Sequence, residues 1–133
     1  MGPGAHILVA DNSASFRMFI EKVIAEVWPD AHLVFCRDGM DVLDYFEEGI
    51  GPLPSLVLLD LADASFDVLK WLREQKRFLD LPIIIIWSSL PLQREKVQAQ
   101  EYGATDYFKK PDTFSELLET VRDLERYYRD QKS

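Results

Sequence analysis

The sequence predicts a doubly wound α/β fold, in which a parallel sheet lies between two layers of helices. Three short apolar runs lack the polar alternation of a half-exposed strand, which is typical of parallel strands covered on both faces. Helical patterns separate these runs, and strict alternation of strand and helix favours right-handed crossovers. The three runs are Ile7–Ala10, Leu56–Leu59 and Ile83–Trp87.

Two weaker strands complete the predicted sheet. They cover Ala31–Cys36 and Thr105–Phe108, and Pro, Gly or Asp turn signals lie beside each. The prediction is therefore a five-stranded parallel sheet built from five strand-helix units. The expected strand order is the flavodoxin-like one, 2-1-3-4-5.

Five helical patterns lie between and after these strands. The first repeats apolar residues every three or four positions from Phe16 to Val27, and Pro29 stops it. The second and third are shorter and are marked by Met40, Leu43 and Phe46, and by Phe66, Leu69, Leu72 and Lys76.

The last two helices carry the clearer end signals. The fourth is predicted to start at Pro91 and to end at Tyr102, before Gly103. In the fifth, Thr113 and Glu116 form a capping box ahead of a buried apolar stripe. The stripe consists of Phe114, Leu117, Leu118, Val121 and Leu124.

Length and composition limit the classes of function. The 133 residues suit one domain, with a core over about residues 6–128 and no output domain expected. A net charge of −8 disfavours nucleic acid and membrane surfaces as partners. The start lacks a secretory signal, and Cys36 has no partner cysteine, so a cytoplasmic protein with a buried thiol is expected.

The candidate site lies at the carboxyl ends of the strands, where ligands bind in open α/β sheets. Four polar residues come after four of the five predicted strands: Asp11, Asp60, Ser88 and Lys110. Each one alone has an ordinary structural interpretation, as a turn former, a helix cap or a loop lysine. Their convergence on one edge of the sheet favours a functional site over these separate structural roles. Two carboxylates can hold a divalent cation, while a hydroxyl and an ammonium can contact a phosphoryl group.

These residues stand in segments that resemble the receiver domains of two-component response regulators. The resemblance covers the chain from His6 to about Tyr128. The matching segments are Ile7–Asp11, Pro54–Leu61, Pro82–Ser89 and Gly103–Pro111.

The resemblance implies a role for each residue of the candidate site. Asp60 would be the phosphoacceptor, and Asp11, Asn12, Asp60 and the Ala62 carbonyl would bind Mg²⁺. Ser88 would be the hydroxyl switch, Tyr107 the aromatic that changes rotamer, and Lys110 the lysine that contacts the phosphoryl group. The Lys110–Pro111 bond would be cis, as it is in the family.

The resemblance also implies partners. A sensor histidine kinase or a phosphotransfer protein would donate the phosphoryl group. A downstream protein would bind the surface of the fourth helix, fifth strand and fifth helix, and a homodimer is also allowed. Catalysis would be limited to self-catalysed phosphotransfer and dephosphorylation, so the chain is not expected to be an enzyme.

Two departures from the receiver pattern affect the metal side of the site. Asn12 stands where the family has a second acid, so weak Mg²⁺ binding is expected. The loop after Asp60 is about three residues short, and Asp63 within it is a candidate for the missing carboxylate.

Other functions remain to be compared with phosphoacceptance. A degenerate receiver that binds partners without phosphorylation is the main alternative, favoured by Asn12 and the short loop. A haloacid dehalogenase phosphatase fits less well, because Ala62 stands where that class needs a second Asp. A flavodoxin is excluded because no glycine follows the first strand in Asp11–Ala14.

Overall fold

The predicted alternation of strands and helices is present in the computed structural model, which describes residues 4–64, 66–75 and 83–132. Ten elements follow one another in the order strand, helix. They are β1 (His6–Ala10), α1 (Ala14–Val27), β2 (His32–Cys36), α2 (Gly39–Glu48), β3 (Leu56–Asp60), α3 (Phe66–Glu74), β4 (Ile83–Ser88), α4 (Gln93–Glu101), β5 (Asp106–Lys109) and α5 (Phe114–Lys132).

The five strands form one parallel sheet in the order β2-β1-β3-β4-β5, which confirms the predicted topology. The register pairs Ala10 with Leu59, and Ser88 with Lys109. The carboxyl ends of β1, β3, β4 and β5 therefore meet at one edge. The chain reverses its direction of winding between β1 and β3, and this is where ligands bind in sheets of this kind.

Each face of the sheet has its own apolar core, which explains why the strands show no polar alternation. On one face, residues such as Leu8, Leu59 and Ile86 pack with side chains from α2, α3 and α4. On the other, residues such as Val9 and Leu58 pack with side chains from α1 and α5. All five residues of β3 are buried, as expected for the central strand.

The helix ends follow from local capping chemistry. Ser13 caps α1 by accepting a hydrogen bond from the Phe16 N–H at 3.2 Å. At α5, Thr113 Oγ1 accepts from the Glu116 N–H at 3.2 Å, as predicted. The Glu116 carboxylate, however, accepts from the N–H of Asp112 instead of Thr113, at 3.4 Å. Half of the predicted capping box is therefore formed.

Three details differ from the sequence predictions or lie beyond them. The helix α4 begins at Gln93 and not at Pro91, because Leu92 is the last residue with extended backbone angles. The described residues contain no cis peptide bond, so the predicted cis Lys110–Pro111 bond is wrong. Trans is the lower-energy isomer of an X–Pro bond by about 0.5–1 kcal/mol. Lys76 and Pro82 lie outside the described residues.

A helix that crosses a bilayer needs about 20 consecutive, predominantly apolar residues. No helix within the described part of the chain meets both requirements for crossing a membrane.

Candidate functional site

Two buried carboxylates, Asp11 and Asp60, form the centre of the site. Asp11 follows β1 directly and Asp60 is the last residue of β3, so the adjacent strands bring them to one edge. Asp11 is fully buried and Asp60 is 4% exposed. An ionised carboxylate is costly to bury unless a positive charge and hydrogen-bond donors compensate it. The residues around Asp11 and Asp60 must therefore supply these partners.

Lys110 supplies the positive charge. Its Nζ lies 2.5 Å from Asp11 Oδ2 and 2.6 Å from Asp60 Oδ2, and its side chain is 14% exposed. The same ammonium lies 4.1 Å from the centre of the Phe16 ring, within the range of a cation–π contact. Burial lowers the Lys110 pKa, but the hydrogen bonds and charges of Asp11 and Asp60 outweigh it and raise the pKa overall. Lys110 therefore remains an ammonium at neutral pH.

The Asp11 carboxylate is oriented by the start of α1. Its Oδ1 accepts a hydrogen bond from the Ser13 N–H at 2.8 Å. The Arg17 guanidinium donates to the Asp11 carbonyl at 2.7 Å, which ties the first turn of α1 to the end of β1. Burial raises the pKa of Asp11, and this effect exceeds the lowering by Lys110 and by the Ser13 N–H.

The Asp60 carboxylate is oriented by the loop that follows it. Its Oδ1 accepts from the Ala62 N–H at 2.9 Å. The Asp60 carbonyl accepts from the N–H groups of Asp63 and Ala64, at 3.0 and 2.8 Å. These bonds make a tight turn that folds the β3–α3 loop back toward β3. The predicted binding of a metal by the Ala62 carbonyl stays a prediction.

Asp63 completes a group of three carboxylates. One oxygen each of Asp11, Asp60 and Asp63 lies within 4.8 Å of the others, so the three residues could hold a metal ion. Asp63 is partly buried, whereas Asn12 is exposed. The Asn12 backbone N–H donates to Asp63 Oδ2 at 2.9 Å. The oxygen-only donor set suits a hard divalent cation such as Mg²⁺.

Ser88 and Tyr107 lie on the next two strands of the sheet, β4 and β5, and Tyr107 contacts the start of α4. Ser88 is the last residue of β4, and its Oγ accepts from the Leu90 N–H at 3.3 Å. The Tyr107 hydroxyl accepts from the Leu92 N–H at 3.2 Å and donates to Glu95 Oε1 at 2.7 Å. Burial and the bond to Glu95 raise the Tyr107 pKa. The Tyr107 side chain is therefore fastened to the first turn of α4.

The structure thus brings Asp11, Asp60 and Lys110 into contact and places Ser88 at the end of the adjacent strand β4. It also adds residues that sequence reasoning missed. Phe16 reads in the sequence as a core residue of α1, but it also lies under the Lys110 ammonium. Nothing in the sequence indicated that Arg17 contacts Asp11 or that Glu95 contacts Tyr107, because charged residues on amphipathic helices ordinarily face the solvent. Their contacts depend on the distance between separate elements.

The chain is similar in sequence to probable regulatory proteins. No protein-family model matches the chain. The probable methanogenesis regulatory protein FilR2 of Methanothrix harundinacea (strain 6Ac) is 29% identical over 128 residues, covering 92% of this chain and 81% of that protein. The probable transcriptional regulator ycf27 of Porphyridium aerugineum is 31% identical over 120 residues. The alignment covers 90% of this chain but only 48% of ycf27, so the chain spans about half of that protein's length.

Solved structures give the same result at the level of the fold. The response regulator RPA3017 in red light signaling of R. palustris superimposes with a TM-score of 0.79 at 27% identity, covering 90% of each chain. The Mn²⁺-bound response regulator Rcp1 has a TM-score of 0.81 at 19% identity, covering 93% of this chain and 94% of Rcp1. At that identity, the likeness to Rcp1 shows the fold alone. The comparisons therefore show that the chain has the fold of response-regulator receiver domains.

Proposed function

We propose that this receiver domain accepts a phosphoryl group on Asp60 in two-component signalling. A sensor histidine kinase or a phosphotransfer protein would be the donor, and the cytoplasm would be the compartment. The observation that carries the proposal is the Lys110 ammonium, bonded to both buried carboxylates at 2.5 and 2.6 Å. This arrangement provides an acceptor oxygen and a fixed positive charge at the edge of the sheet where ligands bind.

The proposed reaction is a phosphoryl transfer from nitrogen to oxygen. An Asp60 carboxylate oxygen attacks the phosphorus of a phosphohistidine, the P–N bond breaks, and the imidazole leaves with the bonding electron pair. Lys110 neutralises charge on the phosphoryl oxygens, and Ser88 donates a hydrogen bond to one of them. Water attack on the phosphorus of the acyl phosphate later releases inorganic phosphate and restores Asp60, so the chain would catalyse only its own phosphorylation and dephosphorylation.

A divalent cation, Mg²⁺ in the proposal, fits the carboxylate group. Rcp1, a structural neighbour, has been solved with Mn²⁺ bound, and the oxygen ligands present here suit ions of this type. A bound Mg²⁺ ion neutralises negative charge on the transferring phosphoryl group. The residues that the resemblance implies would hold it here are Asp11, Asn12, Asp60 and the Ala62 carbonyl.

The proposed output surface consists of α4, β5 and α5. Phosphorylation would draw the Ser88 hydroxyl toward Asp60, and the Tyr107 ring would move into the space that this leaves. Such a movement requires Tyr107 to release Leu92 and Glu95, which couples the site to the start of α4. A downstream protein, or a second copy of the chain, would respond if it bound the two surface shapes with different affinity.

A second candidate function is supported by Asn12. A neutral amide at this position reduces the charge available to a cation, and cation binding is needed for efficient phosphotransfer in the proposed reaction. The chain would then be a degenerate receiver that binds a protein partner without phosphorylation. Lys110 would act as a structural counter-ion for Asp11 and Asp60 in this case.

Chemical labelling distinguishes the two functions. The chain is incubated with phosphoramidate or acetyl phosphate and Mg²⁺, and intact-mass spectrometry follows the product. We expect one added phosphoryl group that hydroxylamine removes, since hydroxylamine cleaves acyl phosphates. Asp60→Asn should abolish labelling, whereas Asp30→Asn, an equal charge change at an exposed residue before β2, should not. Labelling that persists in Asp60→Asn would refute the assignment, and an unlabelled wild type would support the degenerate receiver.

A further inference from the structure

The arrangement around Asn12 raises the question of how the site compensates for its missing acid. Asn12 is exposed, and its backbone N–H donates to Asp63 Oδ2 at 2.9 Å. The adjacent β3–α3 loop places a carboxylate within 4.8 Å of both Asp11 and Asp60. We infer that Asp63 replaces the acid absent at position 12 and is a carboxylate ligand of the cation site.

The backbone of Asp63 is held on two sides, so its position does not depend on its own side chain. Its N–H donates to the Asp60 carbonyl at 3.0 Å, and its carbonyl accepts from the Gly39 N–H at 3.1 Å. The next residue, Ala64, is fully buried in the core on the α2, α3 and α4 face. Gly39 packs against α3, and a Cβ at this position would lie 2.7 Å from Val68 Cγ2.

The hydrogen bond from Asn12 leaves Asp63 able to bind a cation. A carboxylate offers about four lone-pair positions on two oxygens, and the Asn12 N–H occupies one of them. The same bond fixes the orientation of the carboxylate toward the end of β1. Position 12 thus contributes a backbone donor that orients the Asp63 carboxylate.

The charges in the group also favour this assignment. Asp11, Asp60 and Asp63 carry three negative charges, and Lys110 is the ammonium that contacts the two buried ones. One lysine leaves the group with excess negative charge, which a divalent cation would balance. Without Asp63, Lys110 and the remaining two carboxylates would carry a net charge of −1 in place of −2, and the electrostatic attraction for a divalent cation would be weaker.

Cation binding by the unphosphorylated chain tests the inference directly. Mn²⁺ is titrated into the protein, and the electron paramagnetic resonance signal of free Mn²⁺ reports the dissociation constant. Asp63→Asn should weaken binding about tenfold or more, because one charge is lost close to the ion. The asparagine retains a side-chain oxygen that can accept from the Asn12 N–H, so a purely structural role for Asp63 would leave binding unchanged.

Two further variants separate the local effect from net charge. Asp30→Asn removes an equal charge from an exposed residue at the opposite edge of the sheet, and it should change affinity by less than about twofold. Adding Asn12→Asp to Asp63→Asn should restore most of the lost affinity, because it returns a carboxylate to the β1–α1 loop. Circular dichroism confirms that each variant is folded before its titration is interpreted.

The outcomes separate this inference from the proposed function, on which it rests for the biological role of the cation. A wild-type chain that binds no Mn²⁺, or Asp63→Asn with wild-type affinity, would overturn the inference. Failure of Asn12→Asp to restore binding would overturn the interchange of the two positions. Failure of phosphoramidate labelling with a normal set of titrations would instead refute phosphoacceptance and leave the Asp63 assignment standing.

Discussion

Replacing Lys110 with Met tests whether one ammonium stabilises the buried carboxylate pair. Lys110→Met keeps a long apolar side chain over Phe16 and removes the charge that bridges Asp11 and Asp60. Removing one partner of a buried ion pair costs about 3–5 kcal/mol, because the other charge is left uncompensated. Lys110 is 14% exposed, so water can partly solvate the site, and we expect a loss of roughly 2–3 kcal/mol in the free energy of unfolding.

The loss should depend on pH with a defined sign. Without Lys110, burial and the charge of Asp60 hold the pKa of Asp11 in the folded variant above its value in the unfolded chain. The folded variant then binds more protons than the unfolded chain, and its stability increases as the pH falls from 7 toward 5. The difference in stability between the variant and the wild type should therefore become smaller at pH 5.

Urea unfolding followed by circular dichroism in EDTA, at both pH values, measures these differences. Lys109→Met is the matched control, since Lys109 is exposed and lies 3.8 Å from exposed Asp112. An exposed pair of this kind contributes little, so the control should lose less than about 1 kcal/mol. Equal stability of the two variants, or a difference that grows at pH 5, would refute the assignment of Lys110 as the counter-ion.

Two further predictions concern groups outside the carboxylate site. Burial and the charges of Asp41 and Asp38 raise the pKa of the Cys36 thiol from 9.0 to about 12. The protonated thiol therefore stabilises the folded state fully below about pH 9, and this contribution is lost as the pH rises toward 12. The unfolding free energy of the wild type minus that of Cys36→Ala should accordingly fall by up to about 1.4 kcal/mol per pH unit in that window, and a constant difference would contradict the shift. Tyr107→Phe removes the hydroxyl that accepts from Leu92 and donates to Glu95, so it should cost about 1 kcal/mol and speed hydrogen exchange at the Leu92 amide. Tyr127→Phe, at an exposed tyrosine of α5, is the control, and the same exchange rate in both variants would show that the Tyr107 hydroxyl does not hold α4.

The overall fold could be read from the sequence because it depends on local patterns. Apolar runs such as Leu56–Leu59 lack alternation because both faces of β3 are covered, and this is visible residue by residue. The apolar repeat from Phe16 to Val27 and the stop at Pro29 are local signals, so α1 was predicted to within a few positions. The start of α4 was less accurate because Leu92 provides no side-chain cap.

The candidate site was predictable where it depended on topology. Once the strand order was inferred, Asp11, Asp60, Ser88 and Lys110 had to lie at one edge, because parallel strands end on the same side. The resemblance to receiver domains then supplied roles for these residues. It failed at Lys110–Pro111, where this chain has a trans bond.

Distances between loops were decided by the tertiary structure alone. The sequence raised Asp63 as a candidate, but its approach to Asp11 and to the Asn12 N–H depends on how tightly the β3–α3 loop turns and on the space that Gly39 leaves. The bonds of Lys110 to two carboxylates and of Tyr107 to Glu95 likewise join residues from separate elements. Such contacts follow from packing at ångström precision, which periodicity, composition and turn signals do not encode.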